Sequence, residues 1–329
     1  MQSRKTAAPP RRRIVTAGGS PSGTGIAVGT SRIGVDLGGT KTEVIVLDAQ
    51  GAARLRRRES TPRGDYRAIV DLVGRLVDEA EAHCGIPPGT AHVGIGTPGS
   101  LSRVTGLLRG SNSVCLNGMP LKRDLERRLK RPVALANDAN CFTLSEATDG
   151  AARDNDLVFG VILGTGVGGG LVHHRRLIDG RNAIAGEWGH NPLPWPRDDE
   201  HPGPACFCGH HGCIETWLSG PGMLRDCHAH GGTAASTHAI VAGAARGDAG
   251  CEATLARYEE RLARALAHVV NIVDPDVIVL GGGLSNVGRW YESVPRLWTA
   301  WVFSDRVETR LVRHAHGDSS GVRGAAWLG

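Results

Sequence analysis

Before Ser31 the chain is rich in Gly, Ser, Pro and Arg, and its apolar positions follow no period, so no packed element is expected there. From Arg32 the pattern changes at once. Ile33-Gly34-Val35-Asp36-Leu37 reads as a buried strand, Gly38-Gly39-Thr40-Lys41 as a tight turn and Glu43-Val44-Ile45-Val46-Leu47 as the returning strand. Apolar residues at helical spacing predict a helix over 66–83, and 92–96 predicts a strand ending in Thr97-Pro98-Gly99. The apolar run 133–136 then leads through Asn137-Asp138 into a further helix. A second strand, turn and strand occupy 157–173, with Gly164-Thr165-Gly166-Val167-Gly168 at the tip. This unit echoes the first in shape and glycine placement, which predicts two related halves. After an irregular Pro- and Cys-rich stretch, a long helix over 249–273 leads to a strand at 277–280 and the turn Gly281-Gly282-Gly283. The alternation predicts an α/β protein of two lobes, with the three glycine turns converging on the cleft between them.

Composition narrows the classes of partner. The chain has 329 residues, enough for two cores, and 40% hydrophobic residues, as soluble proteins have. The formal charge of +5 looks basic, but Arg4, Lys5, Arg11, Arg12 and Arg13 supply much of it, and the remainder is close to neutral. Aromatics are only 4%, too few to interleave with a basic face, so no nucleic acid is expected as a main partner. No apolar run approaches the roughly 20 residues that cross a bilayer, and the head lacks the apolar core of a secretory signal. A cytoplasmic protein without a membrane partner is therefore expected. The acid-free head resembles a transit peptide in composition, but Pro9, Pro10 and several glycines oppose an amphipathic helix, so a disordered basic extension over 1–31 is expected.

Candidate chemistry lies in turns, carboxylates and cysteines. Gly164-x-Gly166-x-x-Gly169 and Gly94-x-Gly96-x-x-Gly99 match the dinucleotide fingerprint, yet neither opens a helix, and no Walker A motif is present. What remains are hairpin turns whose glycines let backbone N–H groups approach a phosphate, with a hydroxyl from Thr40 or Thr165 added. Asp138 follows a strand and opens a helix, so it reads either as an N-cap or as a catalytic base. Cys206-x-Cys208-x4-Cys213 brings three thiols into one short loop, the kind of set that Zn2+ takes with one histidine. By sequence alone His190, His210 and His211 compete for that fourth place. Cys84, Cys115, Cys141, Cys227 and Cys251 are scattered and read as unligated thiols.

Asp36-Leu37-Gly38-Gly39-Thr40-Lys41-Thr42-Glu43 resembles the first phosphate motif of the ROK family of sugar kinases and repressors. The resemblance extends over 32–329, through Gly94–Gly99, Asn137–Asn140, Gly164-Thr165-Gly166, Glu187–His190, Cys206–Glu215 and His316-Gly317-Asp318. It implies a two-lobed actin/hexokinase-like (ribonuclease H-like) fold, with nucleotide and sugar in the interlobe cleft. The lobes would comprise 32–136 plus 312–329 and 137–311, the second carrying a zinc loop. It implies an ATP-dependent hexose kinase with Mg2+ beside the nucleotide and a structural Zn2+. Asp138 would be the general base, beside Asn137 on the sugar hydroxyls, and Asp36 would face Mg2+ and its water shell. Glu187, His190 and Glu215 would contact the sugar, completed by Gly99 and Asn112. Gly38, Gly39, Thr40, Lys41, Gly164, Thr165 and Gly166 would hold phosphates, and Gly282 and Gly283 the adenosine. It selects His190 as the fourth zinc ligand.

The tracts 189–195 and 319–327 are most similar to bacterial fructokinases, so D-fructose is the expected substrate. N-acetylglucosamine, glucose and mannose are alternatives within the same family. Repressors of the family carry a helix-turn-helix domain ahead of the kinase-like fold, and no pair of helices reads in the head here, which disfavours a DNA-binding regulator. Asp36, Lys41 and Asp138 disfavour a sugar sensor without turnover. Dimers are common in the family, which makes a homodimer an expectation of the resemblance alone.

Overall fold

The computed structural model describes residues 31–328, so the basic head lies outside the described residues except for Ser31. The first half opens with β1 (Arg32–Leu37), β2 (Lys41–Leu47), β3 (Ala53–Ser60), α1 (Tyr66–Cys84) and β4 (His92–Thr97). It continues through the short pair β5 (Ser100–Leu101) and β6 (Leu108–Arg109), then α2 (Leu121–Leu129) and β7 (Ala134–Asn137). The second half runs from α3 (Asp138–Thr148) through β8 (Leu157–Leu163), β9 (Val167–His173) and β10 (Arg176–Leu177). After an irregular stretch come α4 (Ile214–Leu218), α5 (Gly220–Ala229), α6 (Thr237–Ala245) and α7 (Ala249–Val273). The chain ends with β11 (Val277–Gly281), α8 (Trp290–Leu297), β12 (Arg310–Arg313) and α9 (Ser320–Trp327).

The two halves repeat one another. One sheet has the order β3-β2-β1-β4-β7 and the other β10-β9-β8-β11-β12. In each, the first two pairings are antiparallel and the last two parallel. The echo read in the glycine turns is thus a shared sheet topology. Boundaries moved slightly: β2 starts at Lys41, so the first turn is only Gly38-Gly39-Thr40, and β9 starts at Val167.

One unforeseen element, β3, has a weak apolar signal. In β3 the sequence Ala-Arg-Leu-Arg-Arg-Arg-Glu-Ser is mostly exposed, and its charges pair instead of packing. Arg56 and Arg58 both reach Glu43 on β2, and Arg57 meets Glu79 on α1 at 2.8 Å. An edge strand crowded with charge resists pairing with another chain, which explains why hydrophobic periodicity does not reveal it. The clear helices have clear ends. Asp65 caps α1 by accepting from Ala68 N–H at 3.0 Å, and Gly85 stops it at φ 64°.

A large core joins β8 and β11 to α5, α7 and α8, while another fills the space between the first sheet and α1 and α2. Between the sheets, α3 packs on α9, the helix that returns the C-terminus across β1 and β4. The approach is so close that a Cβ on Gly324 would stand 1.6 Å from the Cys141 carbonyl oxygen. Cys141, Cys227 and Cys251 are buried, as scattered unligated thiols should be. No helix among the described residues is long and apolar enough to cross a membrane.

Candidate active site

Strand ends and helix starts meet between the two sheets. A cavity of about 290 Å³ is lined by Asp36 at the end of β1, Gly38 and Gly39 in the following turn, Asn112, Asp138 at the start of α3, and Gly282 after β11. Gly282 needs its backbone freedom: φ is 78°, and a Cβ would meet the Leu163 carbonyl oxygen at 2.4 Å. Asp318 and Ser320, from the chain leading into α9, complete the wall. Both lie in tracts that the resemblance covers, but the sequence reading gave neither a role in the site. The Gly317-Asp318 pair just before a helix was the available signal, but it lacks any strand end or metal spacing to mark it as chemical.

Asn137 and Asp138 divide the work that the sequence left ambiguous. Asn137 is the N-cap of α3, its Oδ1 accepting from Ala139 N–H at 2.8 Å, while its Nδ2 donates to the Gly99 carbonyl at 3.4 Å. Gly99 is thereby tied beside the cap. Asp138 is the first helical residue, so its carboxylate is free to project into the cavity, although Oδ1 also accepts from Ala139 N–H at 2.8 Å. It is solvent-exposed within the cleft yet deep in the molecule. Burial and the charge of Glu187 push its carboxyl upward, against the backbone hydrogen bond from Ala139. Asp36, directly opposite Glu43 in the β1–β2 register, is pushed up to about 7 by burial, then by the charges of Asp138 and Glu43. Two carboxylates lining one cavity, with the charge of Asp138 raising Asp36, leave room for a cation between them, and one of them is suited to take a proton.

The remaining expected residues fall into three places. Thr40 and Lys41 are exposed at the tip of the first turn, which Gly38 closes by donating to the Lys41 carbonyl at 3.0 Å. Gly164, Thr165 and Gly166 form the equivalent turn, closed by Gly164 N–H on the Gly166 carbonyl at 3.0 Å, with Thr165 exposed. Glu215 lies against this second turn: its Oε2 accepts from Val167 N–H at 2.9 Å, and a Cβ on Gly166 would come within 2.5 Å of it. Gly283 is open to solvent beside Gly282. Glu187 lines a second cavity of about 210 Å³ with Asn137, next to the first.

A group of side chains able to hold a metal forms in the irregular stretch before α4. Segments 191–193 and 212–214 run antiparallel, with Leu193 N–H on the Gly212 carbonyl at 2.9 Å and Ile214 N–H on the Asn191 carbonyl at 2.8 Å. That pairing sets His190 next to Cys213. One ligand atom from each of His190, Cys206, Cys208 and Cys213 lies within 4.8 Å of the others. Cys206 Sγ is 3.6 Å from His190 Nδ1, and Cys208 Sγ is 3.6 Å from Cys213 Sγ. Tetrahedral Zn2+ with bonds of about 2.3 Å to sulfur would separate its ligands by roughly 3.8 Å, so the donor set and spacing fit. Burial pushes the Cys213 thiol up to about 12, whereas hydrogen bonds from His210 pull exposed Cys208 down to about 6. His210 stands 3.5 Å from Cys208 Sγ but outside the four-residue set, and His211 is exposed. Behind the loop, fully buried Arg264 on α7 donates to the Trp195 carbonyl at 2.6 Å and to Glu200 at 2.8 Å. This anchors an otherwise irregular stretch.

A family model described as the ROK family matches residues 32–329. The chain is 39% identical over 300 residues to an N-acetyl-D-glucosamine kinase of Yersinia pseudotuberculosis serotype O:1b (strain IP 31758), covering 90% of this chain and 97% of that protein. Its fold is similar to that of a ROK hexokinase from Thermus thermophilus, with a TM-score of 0.80, 29% identity and coverage of 91% and 97%. It is also similar to a ROK family glucokinase from Streptomyces griseus in complex with glucose and AMPPNP, with a TM-score of 0.71, 26% identity and coverage of 90% and 98%.

Proposed function

This chain belongs to the ROK family and is an ATP-dependent sugar kinase, and from that premise we propose that it transfers the γ-phosphoryl group of ATP to the 6-hydroxyl of N-acetyl-D-glucosamine. The tracts that point to D-fructose are short. Similarity to an N-acetyl-D-glucosamine kinase along nearly the whole of both chains outweighs them, and it is the observation that carries the substrate.

The geometry supports the following roles. The sugar hydroxyl lies against Asp138, which takes its proton as the phosphoryl group arrives. Asn137, held by its cap and by Gly99, presents an amide to the sugar hydroxyls, and Glu187 faces the ring from the adjacent cavity. With the Gly38 and Gly164 N–H groups closing their own turns, the N–H groups of Gly39 and Thr40 and of Thr165 and Gly166 are the ones offered to the phosphates, with Lys41 at the rim. Gly282 and Gly283 leave space for the nucleoside. Mg2+, carried with ATP beside Asp36, would neutralise phosphate charge. Zn2+ bound by His190, Cys206, Cys208 and Cys213 would have four protein ligands and no open position, so its work is structural. With Nδ1 of His190 facing Cys206, only Nε2 of that ring remains for a sugar hydroxyl.

An ADP-release assay across N-acetylglucosamine, fructose, glucose and mannose tests the reading. We expect kcat/KM for the acetylated sugar to exceed the others by about tenfold or more, with the 6-phosphate as product. A preference for fructose would return the assignment to the substrate of the shorter tracts.

A further inference from the structure

The second cavity shares Asn137 and Glu187 with the sugar contacts described above, and the rest of its lining has no part in that account. It begins where the first ends: Asp138 faces the first, whereas Asn137, Asn140 and Glu187 face the second. Its lining includes the small or apolar side chains of Leu101 on β5 and of Ala183 and Ala185 in the segment after β10, beside the charged pair Arg103 and Asp179. Ala183 adopts φ 54°, a conformation in which glycine would be easier, so a methyl group is kept there against backbone preference. Two contacts close the mouth between the lobes. Arg109 donates to the Asn182 carbonyl at 3.2 Å, and Arg103 stands 3.8 Å from Asp179. Asn140 brings an amide to the wall, and its Oδ1 is buried without a hydrogen-bond partner among the described residues.

Hexose geometry says what occupies this space. In a pyranose the carbon that carries the CH2OH group and the carbon that carries the 2-substituent are opposite each other across the ring. If the 6-hydroxyl is at Asp138, the 2-substituent must point away from the first cavity, past Asn137 and Glu187, into the second. We propose that this second cavity is the subsite for the 2-acetamido group. The methyl lies against Leu101, Ala183 and Ala185, and the amide N–H answers the unpaired oxygen of Asn140 once that side chain turns toward the sugar. A hydroxyl in the same place would leave the apolar wall unfilled and, being small, would gain little from it. The proposal rests on the N-acetylglucosamine reading.

The test compares N-acetyl- with N-formylglucosamine, which keeps the amide and lacks the methyl, in the wild type and in Ala185→Leu. The wild type should favour the acetyl sugar by roughly tenfold in kcat/KM, as one methyl group in an apolar pocket allows. Filling the pocket with Ala185→Leu should remove that preference through a rise in KM for the acetyl sugar, with KM for ATP unchanged. Leu101→Ala should enlarge the pocket and admit N-propionylglucosamine several-fold better than the wild type does, a gain that a misfolded variant cannot produce. Equal losses for both sugars in Ala185→Leu, together with no gain in Leu101→Ala, overturn the subsite. Should the wild type phosphorylate fructose or glucose and no N-acylated sugar, the substrate reading fails first and takes the subsite with it.

Discussion

At the scale of single residues, the proposed chemistry turns on how Asp138 is kept available. Were it the cap of α3, its carboxylate would be committed to the helix end; as the first helical residue it accepts there from Ala139 N–H at 2.8 Å while also lining the cavity. Asn137 takes the cap position, and Asp138 faces the cavity with its carboxyl raised by burial and by Glu187. Replacing Asp138 by Asn should leave sugar binding within about threefold by calorimetry and lower kcat by about 10³ or more, at the range that general-base loss reaches. Unchanged turnover would remove it from the role. The sign of the pH effect follows from the direction of the shift. A base must be deprotonated to work, so kcat should fall as pH drops through a value above the ordinary carboxylate range. Because the Glu187 charge raises Asp138, Glu187→Gln should move that acid limb to lower pH. A pH–kcat profile whose acid limb stays in place would show that the limb belongs to another group. Much of this was legible in sequence, since Asp36, Asn137, Asp138 and the glycine turns all sit at strand ends where chemistry is expected. Asp318 fell in a matched tract, but its place in the cavity was not legible, because nothing in its local pattern says that the chain folds back across the first sheet.

At the scale of elements, the site depends on two short stretches held by long-range polar contacts. The segment bearing Asp318 is held by Glu146 on α3. This buried carboxylate accepts from Ala315 N–H at 2.9 Å, His316 N–H at 3.3 Å, Ser320 Oγ at 2.8 Å and Ala151 N–H at 2.9 Å. Glu146→Gln would bring an amide N–H2 against a set of donors, costing about 1–3 kcal/mol for the groups left unpaired. Since the displaced segment lines the first cavity, KM for ATP should rise several-fold while sugar affinity holds, measured by initial rates and calorimetry. Equal loss of both would mean general unfolding. The other stretch is the cysteine loop proposed to hold zinc, where α4 starts at Ile214 and puts Glu215 two residues past Cys213. Chelation or Cys208→Ser should lower the melting temperature and weaken sugar affinity more than ATP affinity, because the ligands lie beside Glu187 and Glu215. Identical melting curves and sugar affinities with and without chelator would end that assignment. Neither Glu146 nor Arg264 stands out in the sequence. A lone charged residue inside a helical run reads as surface until the partner segment, more than a hundred positions away in the Glu146 case, is known to return.

At the scale of the molecule, the repeated sheet order explains why so much of the architecture was readable. Each half contributes one glycine hairpin at the equivalent place in its sheet, β1–β2 in one and β8–β9 in the other. What the pattern could not give was the junction, where α3 and α9 cross through Gly324 and Cys141 with no room for a side chain. Such a contact leaves no periodic trace, only a glycine in a helix. It also defines where the lobes can pivot, since α9 rests on the first sheet and α3 on the second. If closing about this junction brings the phosphate turns together over a sugar already seated at Asn137 and Glu187, each ligand pre-orders the surface that the other needs. Sugar should then tighten binding of a non-hydrolysable ATP analogue by about 5- to 150-fold, a coupling of roughly 1–3 kcal/mol, and the analogue must tighten sugar binding by the same factor. Titrating each ligand in the presence and absence of the other measures both factors independently. Equal affinities in all four titrations would mean that the lobes are already fixed in their relative positions. Gly324→Ala sharpens the test, because a Cβ 1.6 Å from the Cys141 carbonyl must push α9 off α3. If the crossing carries the coupling, the variant should lose the shared factor while each ligand alone still binds.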